Sequence, residues 1–185
     1  MRKNFGAKPY TYPQPVFIIS TYDENGIVDA MNAAWGGIID TNQIAIALSA
    51  DHKTVKNILK QKAYTISMAT SEYVKECDYV GVVSANNNPN KMAKTRFTYI
   101  QSDFVHAPII EQLPMCLECK MVSYDTASEI MIGEIINVSA DESVLTEGKI
   151  DPFKLHPITF DPCNNGYIEL GMRVGNAFKD GLELK

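Results

Sequence analysis

The sequence lacks the short motifs that are typical of nucleotide-binding proteins and hydrolases. Neither G-x-G-x-x-G nor G-x-x-x-x-G-K-[ST] occurs in its 185 residues, and there is no G-x-S-x-G nucleophile elbow. Its three histidines, His52, His106 and His156, are far apart, and no H-E-x-x-H is present. These absences argue against a Rossmann enzyme, a hydrolase and a locally encoded metal site. We therefore predict no metal and no catalytic acid, base or nucleophile in the chain.

Basic residues and long apolar runs are also scarce. The chain has 17 Lys and Arg against 22 Asp and Glu, a net charge of -5. Nucleic-acid binding needs a surplus of basic residues, so we expect no nucleic-acid partner. The apolar run near the N-terminus, Val16–Ile19, is far too short for a signal peptide or a membrane span. We predict a cytoplasmic protein with no membrane association.

Cysteine is limited to four residues, which fits reduced thiols better than a disulfide framework. Cys116 and Cys119 form a lone C-x-x-C, a pattern seen in redox and zinc sites. No second Cys or His pair stands at a ligand-like spacing, and the surrounding "MCLECKMVSYD" has the composition of a strand. Residues three apart on a strand point to opposite faces, so a structural role is favoured over a redox or zinc site.

What is present indicates one mainly β domain spanning 1–185, with 1–12 as a possible N-terminal arm. Asn25-Gly26 between two apolar segments is a hairpin signal, and a further strand is predicted over Gln43–Ala50. "DHKTVKNILKQK" has helical periodicity. Two long strands are predicted on either side of Asp125–Ser128, the second with Ile130, Ile132, Glu134, Ile136 and Val138 on one face. Many strands and few short helices favour a barrel over a sandwich.

The segment "DAMNAAWGGIID" combines small residues, two glycines and the only tryptophan. Trp35 alone is more often a core or interface anchor than a cofactor contact. Asn32, Ala33 and Ala34, however, offer backbone that a flat ligand can approach, and Gly36-Gly37 allow that backbone to bend. We interpret the segment as a strand end and loop that face such a ligand.

A second segment, "SADHKTVKN", leads from a strand into a helix that begins near Thr54. The first turn of a helix presents unpaired N–H groups and a partial positive charge, which suit an anion. Ser49, His52, Lys53 and Thr54 add hydrogen-bond donors and one full charge. The simpler alternative is that Asp51 or Thr54 merely caps the helix.

Together these segments resemble the flavin reductase-like family with the FMN-binding split-barrel fold, and within it the flavoredoxin-like branch. The matching motifs are "VFIISTYDENGIVDAMNAAWGGIID", "HKTVKNI", "DYVGVVSANNNPNKM", "MIGEIINV" and "YIELGMRVGNAF". The resemblance covers about 13–178. It implies a six-stranded Greek-key split β-barrel that forms a homodimer and binds FMN.

The resemblance also implies roles for individual positions. Backbone around Asn32, Ala33, Ala34 and Trp35 would lie along the isoalloxazine ring. The ribityl chain and phosphate would be surrounded by Ser49, Ala50, His52, Lys53 and Thr54. Lys91 is a weaker candidate for the polar edge of the flavin or for the phosphate.

The implied activity is a flavin oxidoreductase that passes hydride from NADH or NADPH to bound flavin and then electrons to a small-molecule or protein acceptor. A flavoredoxin-type FMN electron carrier without its own nicotinamide activity is the first alternative. A ligand-binding barrel that has lost FMN is the second. The residues alone do not separate the three.

Overall fold

The computed structural model describes residues 1–185, and β-strands form most of its regular structure. The strands are β1 (Gln14–Pro15), β2 (Phe17–Tyr22), β3 (Val28–Ala33), β4 (Gly36–Asp40), β5 (Gln43–Ala47), β6 (Ala63–Met68), β7 (Tyr99–Gln101), β8 (Pro108–Ile110), β9 (Met115–Asp125), β10 (Ile130–Ala140), β11 (Leu145–Thr146), β12 (Lys149–Ile150), β13 (Ile158–Asp161) and β14 (Gly166–Glu169). The α-helices are α1 (Lys53–Gln61), α2 (Val74–Val82) and α3 (Pro152–Leu155), and 3-10 turns occupy Ser71–Tyr73, Lys91–Lys94, Glu142–Val144 and Asp180–Leu184. No helix has the length and apolar character needed to cross a membrane.

Seven of the strands form one antiparallel sheet in the order β3-β2-β6-β9-β10-β5-β4. The sheet curls into a half-barrel, with α1 packed against β2 and β3. A smaller sheet, β1-β13-β14, lies beside it. The prediction of a mainly β split barrel with a few short helices is confirmed, with seven strands in the main sheet where six were expected.

The core is built on both faces of β2. Phe17 and Ile19 point into a cluster inside the curled sheet, and Ile18 points into a second cluster beneath α2 and β13. Successive side chains of a strand alternate between faces, so this near-continuous apolar strand joins both clusters. The two clusters are therefore held together by one central strand.

The additional strand is β4, a segment for which Gly36-Gly37 predict a loop. It pairs with β5, and a Cβ at Gly36 would lie 2.8 Å from the carbonyl oxygen of Ala45. Glycine at this position permits close strand approach, whereas nothing lies within 4 Å of a Cβ at Gly37. The glycine pair thus belongs to an edge strand.

The two long strands β9 and β10 are confirmed, but the single apolar face expected for β10 is interrupted. Their register shifts between Ile132 and Gly133 and again between Ile135 and Asn137. Such bulges change which face the following side chains occupy. Ile136 accordingly packs against a small separate cluster around Ala107, while Met131 is fully buried in the main core.

The strand interpretation of the C-x-x-C segment is confirmed within β9. Cys119 lies in the main core, whereas Cys116 lines a cavity beyond the opposite face, and both are free thiols. Burial raises the pKa of Cys116 to about 12 and also raises that of Cys119. Because a thiolate is the reactive form of cysteine, these residues are packing residues.

Candidate functional site

A cavity of about 290 Å³ lies at the end of β3, where three parts of the chain meet. One wall is the strand end itself, a second comes from the loop that leads into α1, and a third comes from the small sheet near the C-terminus. Its lining residues are Met31, Asn32, Ala33, Ala34, Trp35, Ala47, Leu48, His52, Phe160 and Tyr167. Half of the ten predicted contact residues therefore share one cavity, which we call the ring cavity.

The two sides of the ring cavity meet because β4 folds back on β5. The backbone N–H of Ala47 donates to the carbonyl oxygen of Trp35 at 2.8 Å, which extends this pairing up to the cavity. The close approach at Gly36 draws the two strands together. Trp35 remains 59% exposed, so its indole forms an open rim.

The third wall is held by polar contacts around Asn32. Asn32 Nδ2 donates to the carbonyl oxygen of Cys77 at 3.1 Å and lies 3.5 Å from the hydroxyl of Tyr167. The Tyr167 hydroxyl in turn donates to Asp78 Oδ1 at 2.8 Å. Burial, followed by this hydrogen bond to Asp78, raises the pKa of Tyr167 to about 12, so the phenol stays neutral. Both hydrogen bonds of the Asn32 side chain use its amide nitrogen, which leaves its oxygen to accept from a ligand.

Helix α2 reaches Asn32 only because its last turn carries a glycine. A Cβ at Gly81 would lie 2.8 Å from the Cβ of Asn32. Any side chain there would push α2 away from β3 and loosen the contact between Asn32 and Cys77. Gly81 thus contributes to the shape of the cavity without lining it.

The first turn of α1 borders the ring cavity and is not capped by a side chain. His52 is the N-cap residue, in an extended conformation, and makes no side-chain capping hydrogen bond. The alternative that Asp51 or Thr54 caps the helix is therefore wrong. Lys53 is the first residue of the helix and lines a separate cavity of about 350 Å³, together with Asn86 and the acidic residues Asp23, Glu24 and Asp29. Backbone donors are thus available at this helix start, and the Lys53 charge lies beside them among carboxylates.

Ser49 and Ala50 occupy the loop before α1, but their donors already have a partner. The Ser49 hydroxyl and the Ala50 N–H both donate to Oε1 of Glu129, at 2.8 and 2.9 Å. Glu129 sits in the β9–β10 turn with a φ of 56°, and its carbonyl oxygen accepts from the N–H of Leu48. The hairpin tip therefore fixes the loop, and a carboxylate fills this donor pair.

Thr54 and Lys91 belong to a buried polar cluster rather than to the ring cavity. The Thr54 hydroxyl donates to Asp29 Oδ2 at 2.6 Å, and Lys91 Nζ lies 3.5 Å from Asp29 Oδ1. Lys91 also donates to the carbonyl oxygens of Val80 and Val83 at the end of α2. Burial lowers the pKa of Lys91, and the charge of Asp29 opposes that shift. This cluster joins β3, α1 and α2 behind the site.

Several residues of the site were not among the predicted ones. Phe160 and Tyr167 reach the ring cavity from β13 and β14, more than a hundred residues away from Trp35 in the chain. Asp29 and Glu129 are acidic, whereas an anion site predicts hydrogen-bond donors and positive charge. No local pattern marks any of the four, because each acts through a contact between distant segments.

A curled antiparallel half-barrel with a ligand-sized cavity at a strand end defines the split-barrel class. Residues 10–160 match the family model described as the flavin reductase like domain, and the chain belongs to that family. The protein is similar to the flavoredoxin of Desulfovibrio vulgaris (Miyazaki F), with 34% identity, a TM-score of 0.93, and coverage of 98% of this chain and 100% of that one.

Two further solved structures share the fold. Flavoredoxin from Methanosarcina acetivorans is 24% identical, with a TM-score of 0.90 and full coverage of both chains, 100% each. An FMN-binding domain of a flavin reductases-like enzyme from Shewanella baltica OS155 is 19% identical, with a TM-score of 0.79 and coverage of 88% of this chain and 89% of that one.

Proposed function

We propose that this protein binds FMN and acts as a flavin oxidoreductase that uses NADH or NADPH as donor and passes electrons to a small-molecule or protein acceptor. The observation that carries the proposal is the ring cavity, with small residues beside Trp35 on one wall, Phe160 and Tyr167 on another, and an uncapped helix start at its border. FMN-binding relatives and family membership support the same cofactor.

The lining residues suit FMN in both size and chemistry. A volume of about 290 Å³ is near the lower end of ligand pockets, roughly 300–1,000 Å³, which suits the ring system rather than the whole cofactor. Ala33 and Ala34 let a flat ring approach the backbone, and Asn32 offers an acceptor oxygen. The first turn of α1 and Lys53 offer donors and charge for a phosphate.

When bound, FMN would supply the redox chemistry, taking a hydride from the nicotinamide donor and giving up electrons singly or in pairs. The protein's part is to hold and shield the ring. Phe160 and Leu48 exclude water from the cavity walls, and the neutral Tyr167 hydroxyl keeps Asn32 in place. No side chain needs to gain or lose a proton for this role, which agrees with the absence of a predicted catalytic residue.

A second function is an FMN electron carrier of the flavoredoxin type, reduced by a partner protein. The similarity to the Desulfovibrio vulgaris flavoredoxin over nearly the whole chain favours it. The two functions share the ring cavity and differ only in the source of electrons. A test of the donor therefore separates them.

The test is an absorption spectrum of protein incubated with FMN and desalted, recorded anaerobically before and after NADH or NADPH. Bleaching of a retained flavin band by either nucleotide supports the oxidoreductase, whereas retention without bleaching supports the carrier. An Ala34→Phe variant, which fills the ring cavity, is expected to lose the flavin, while Ser143→Phe, at an exposed position of the 3-10 turn Glu142–Val144, keeps it. A wild-type protein that retains no flavin would refute both functions.

We also propose a homodimer in the cytoplasm. Three of the four free cysteines are buried and unpaired, which suits a reducing compartment. Exposed apolar side chains along the C-terminal segment support self-association, because such groups usually mark an interface.

A further inference from the structure

We propose that the N-terminal arm forms a second ligand site, which holds the phosphate-bearing part of a nicotinamide nucleotide beside the ring cavity. This inference rests on the proposed function, since it assigns a place to the electron donor. The site is a cavity of about 510 Å³ between the arm and the start of β4. Its lining residues are Lys8, Pro9, Tyr10, Thr11, Pro13, Gln14, Pro15, Ala34, Trp35 and Gly36. We call it the arm cavity.

The arm cavity adjoins the ring cavity. Ala34 and Trp35 line both of them, so a ligand in one lies next to a ligand in the other. Hydride transfer needs donor and acceptor atoms within van der Waals distance, roughly 3–3.5 Å apart. A nucleotide whose phosphates occupy the arm cavity can extend its nicotinamide past Trp35 to the ring cavity.

The arm is fixed to the body of the protein on the side next to the cavity. Residues Gln14 and Pro15 pair with β13, and the Gln14 N–H donates to the Thr159 hydroxyl at 2.9 Å. That hydroxyl donates back to the carbonyl oxygen of Gln14 at 2.7 Å, and the Tyr12 hydroxyl donates to Asp161. The arm is thus a wall with defined contacts, which a binding site requires.

The charge of the arm favours an anion. Arg2, Lys3 and Lys8 lie within the first twelve residues, and the first acidic residue of this acidic chain is Asp23. Lys8 lines the arm cavity. Lys3 lies farther out: its Nζ is 5.6 Å from the centroid of the Phe5 ring, and Phe5 packs edge-on against Tyr10, which also lines the cavity. Segregation of positive charge beside an open cavity attracts phosphate groups.

Two further features select a nucleotide rather than a simple anion. Tyr10 and Trp35 offer aromatic surfaces against which a flat base or nicotinamide can stack. Gln14 is only 5% exposed, lines the cavity, and its Oε1 accepts no hydrogen bond. A buried acceptor without a partner is unfavourable, so an N–H donor such as the amino group of the adenine base would stabilise this site.

Trp35 provides a direct readout, because it is the only tryptophan. FMN-loaded protein is titrated with NAD⁺ and with NADP⁺, which bind without reducing the flavin, and the fluorescence of Trp35 is followed. Lys8→Glu is expected to raise the dissociation constant at least about tenfold, the size of one lost charge-assisted contact. Lys8→Arg should keep binding close to wild type. Lys75→Glu, an equal change of charge at an exposed position of α2, is the matched control.

The binding should also weaken as salt is added, and less steeply in Lys8→Glu than in the wild type. Equal dissociation constants for Lys8→Glu and Lys75→Glu would overturn the arm cavity as a nucleotide site, as would wild-type protein that retains FMN but binds neither nucleotide. Loss of FMN from the wild type would instead refute the proposed function. The same titration on flavin-free protein would then still decide the arm cavity.

Discussion

The buried pair of Asp29 and Lys91 joins three elements at the scale of single side chains. Asp29 on β3 is 5% exposed in its side chain and Lys91 is 3% exposed, with 3.5 Å between their charged atoms. Asp29 also accepts from Thr54 in the first turn of α1. The lysine therefore compensates a carboxylate that positions the helix start beside the ring cavity.

Replacing Lys91 with Met is expected to lower the free energy of unfolding by about 3–5 kcal/mol, because it leaves the Asp29 carboxylate buried without a charged partner. Urea unfolding followed by circular dichroism measures the change. Lys94→Met in the same 3-10 turn is exposed and should differ from wild type by no more than about 0.5 kcal/mol. Combining Lys91→Met with Asp29→Asn should recover part of the loss. Equal stability of Lys91→Met and Lys94→Met would show that the pair is not stabilising.

At the scale of elements, Gly36 lets β4 approach β5 closely, whereas the adjacent Gly37 makes no such contact. We expect Gly36→Ala to destabilise the protein by about 1–3 kcal/mol, because its Cβ would meet the backbone of Ala45 and force β4 away from β5. Gly37→Ala, where a Cβ meets nothing within 4 Å, should be tolerated within about 1 kcal/mol. Hydrogen exchange of the Ala47 N–H, which donates to Trp35, reports the loss locally. Similar effects of the two substitutions would refute the close-approach argument.

Elements with local signals were predictable from the sequence. The hairpin at Asn25-Gly26 and helix α1 follow from turn chemistry and apolar periodicity, and both occur where expected. Strand β4 is not predictable from the glycine pair, because glycine also permits the close approach of two strands and that approach depends on the partner strand. The same limit applies to the site: Asn32 to Trp35 could be found from small residues beside an aromatic one, whereas Phe160 and Tyr167 enter only through folding.

Lys91 shows the limit most clearly. Its charge and its motif suggested a contact with an anion, but its ammonium group is held by Asp29 and two carbonyl oxygens. Whether the Lys91 side chain contacts a ligand or forms an internal ion pair depends on how deeply it is buried. No local sequence pattern encodes that burial. A direct contact between Lys91 and FMN remains a prediction. What the structure shows is that Lys91 pairs with Asp29, which in turn binds Thr54 of α1.

At the scale of the whole molecule, the C-terminal segment 171–185 lies on the surface and adds nothing to the buried core. Its residues are all exposed, including Met172, Val174, Phe178 and Leu184, and Phe178 is 100% exposed. The segment is organised by its own hydrogen bonds, such as that of the Asn176 N–H to Asp180. These apolar side chains bury little surface against the rest of their own chain. We therefore expect them to be buried against a second copy of the protein.

The double variant Val174→Asp and Phe178→Asp is therefore expected to shift the protein from dimer to monomer, because both charges would be buried at the contact between copies. Light scattering coupled to size-exclusion chromatography at micromolar concentrations measures the mass. Val82→Asp, at the exposed end of α2, is the control and should leave the dimer intact. A monomeric wild type would contradict the homodimer. A double variant that stays dimeric would show that the interface lies elsewhere, and the exposed Ile38 and Ile39 of edge strand β4 would then be the next surface to test.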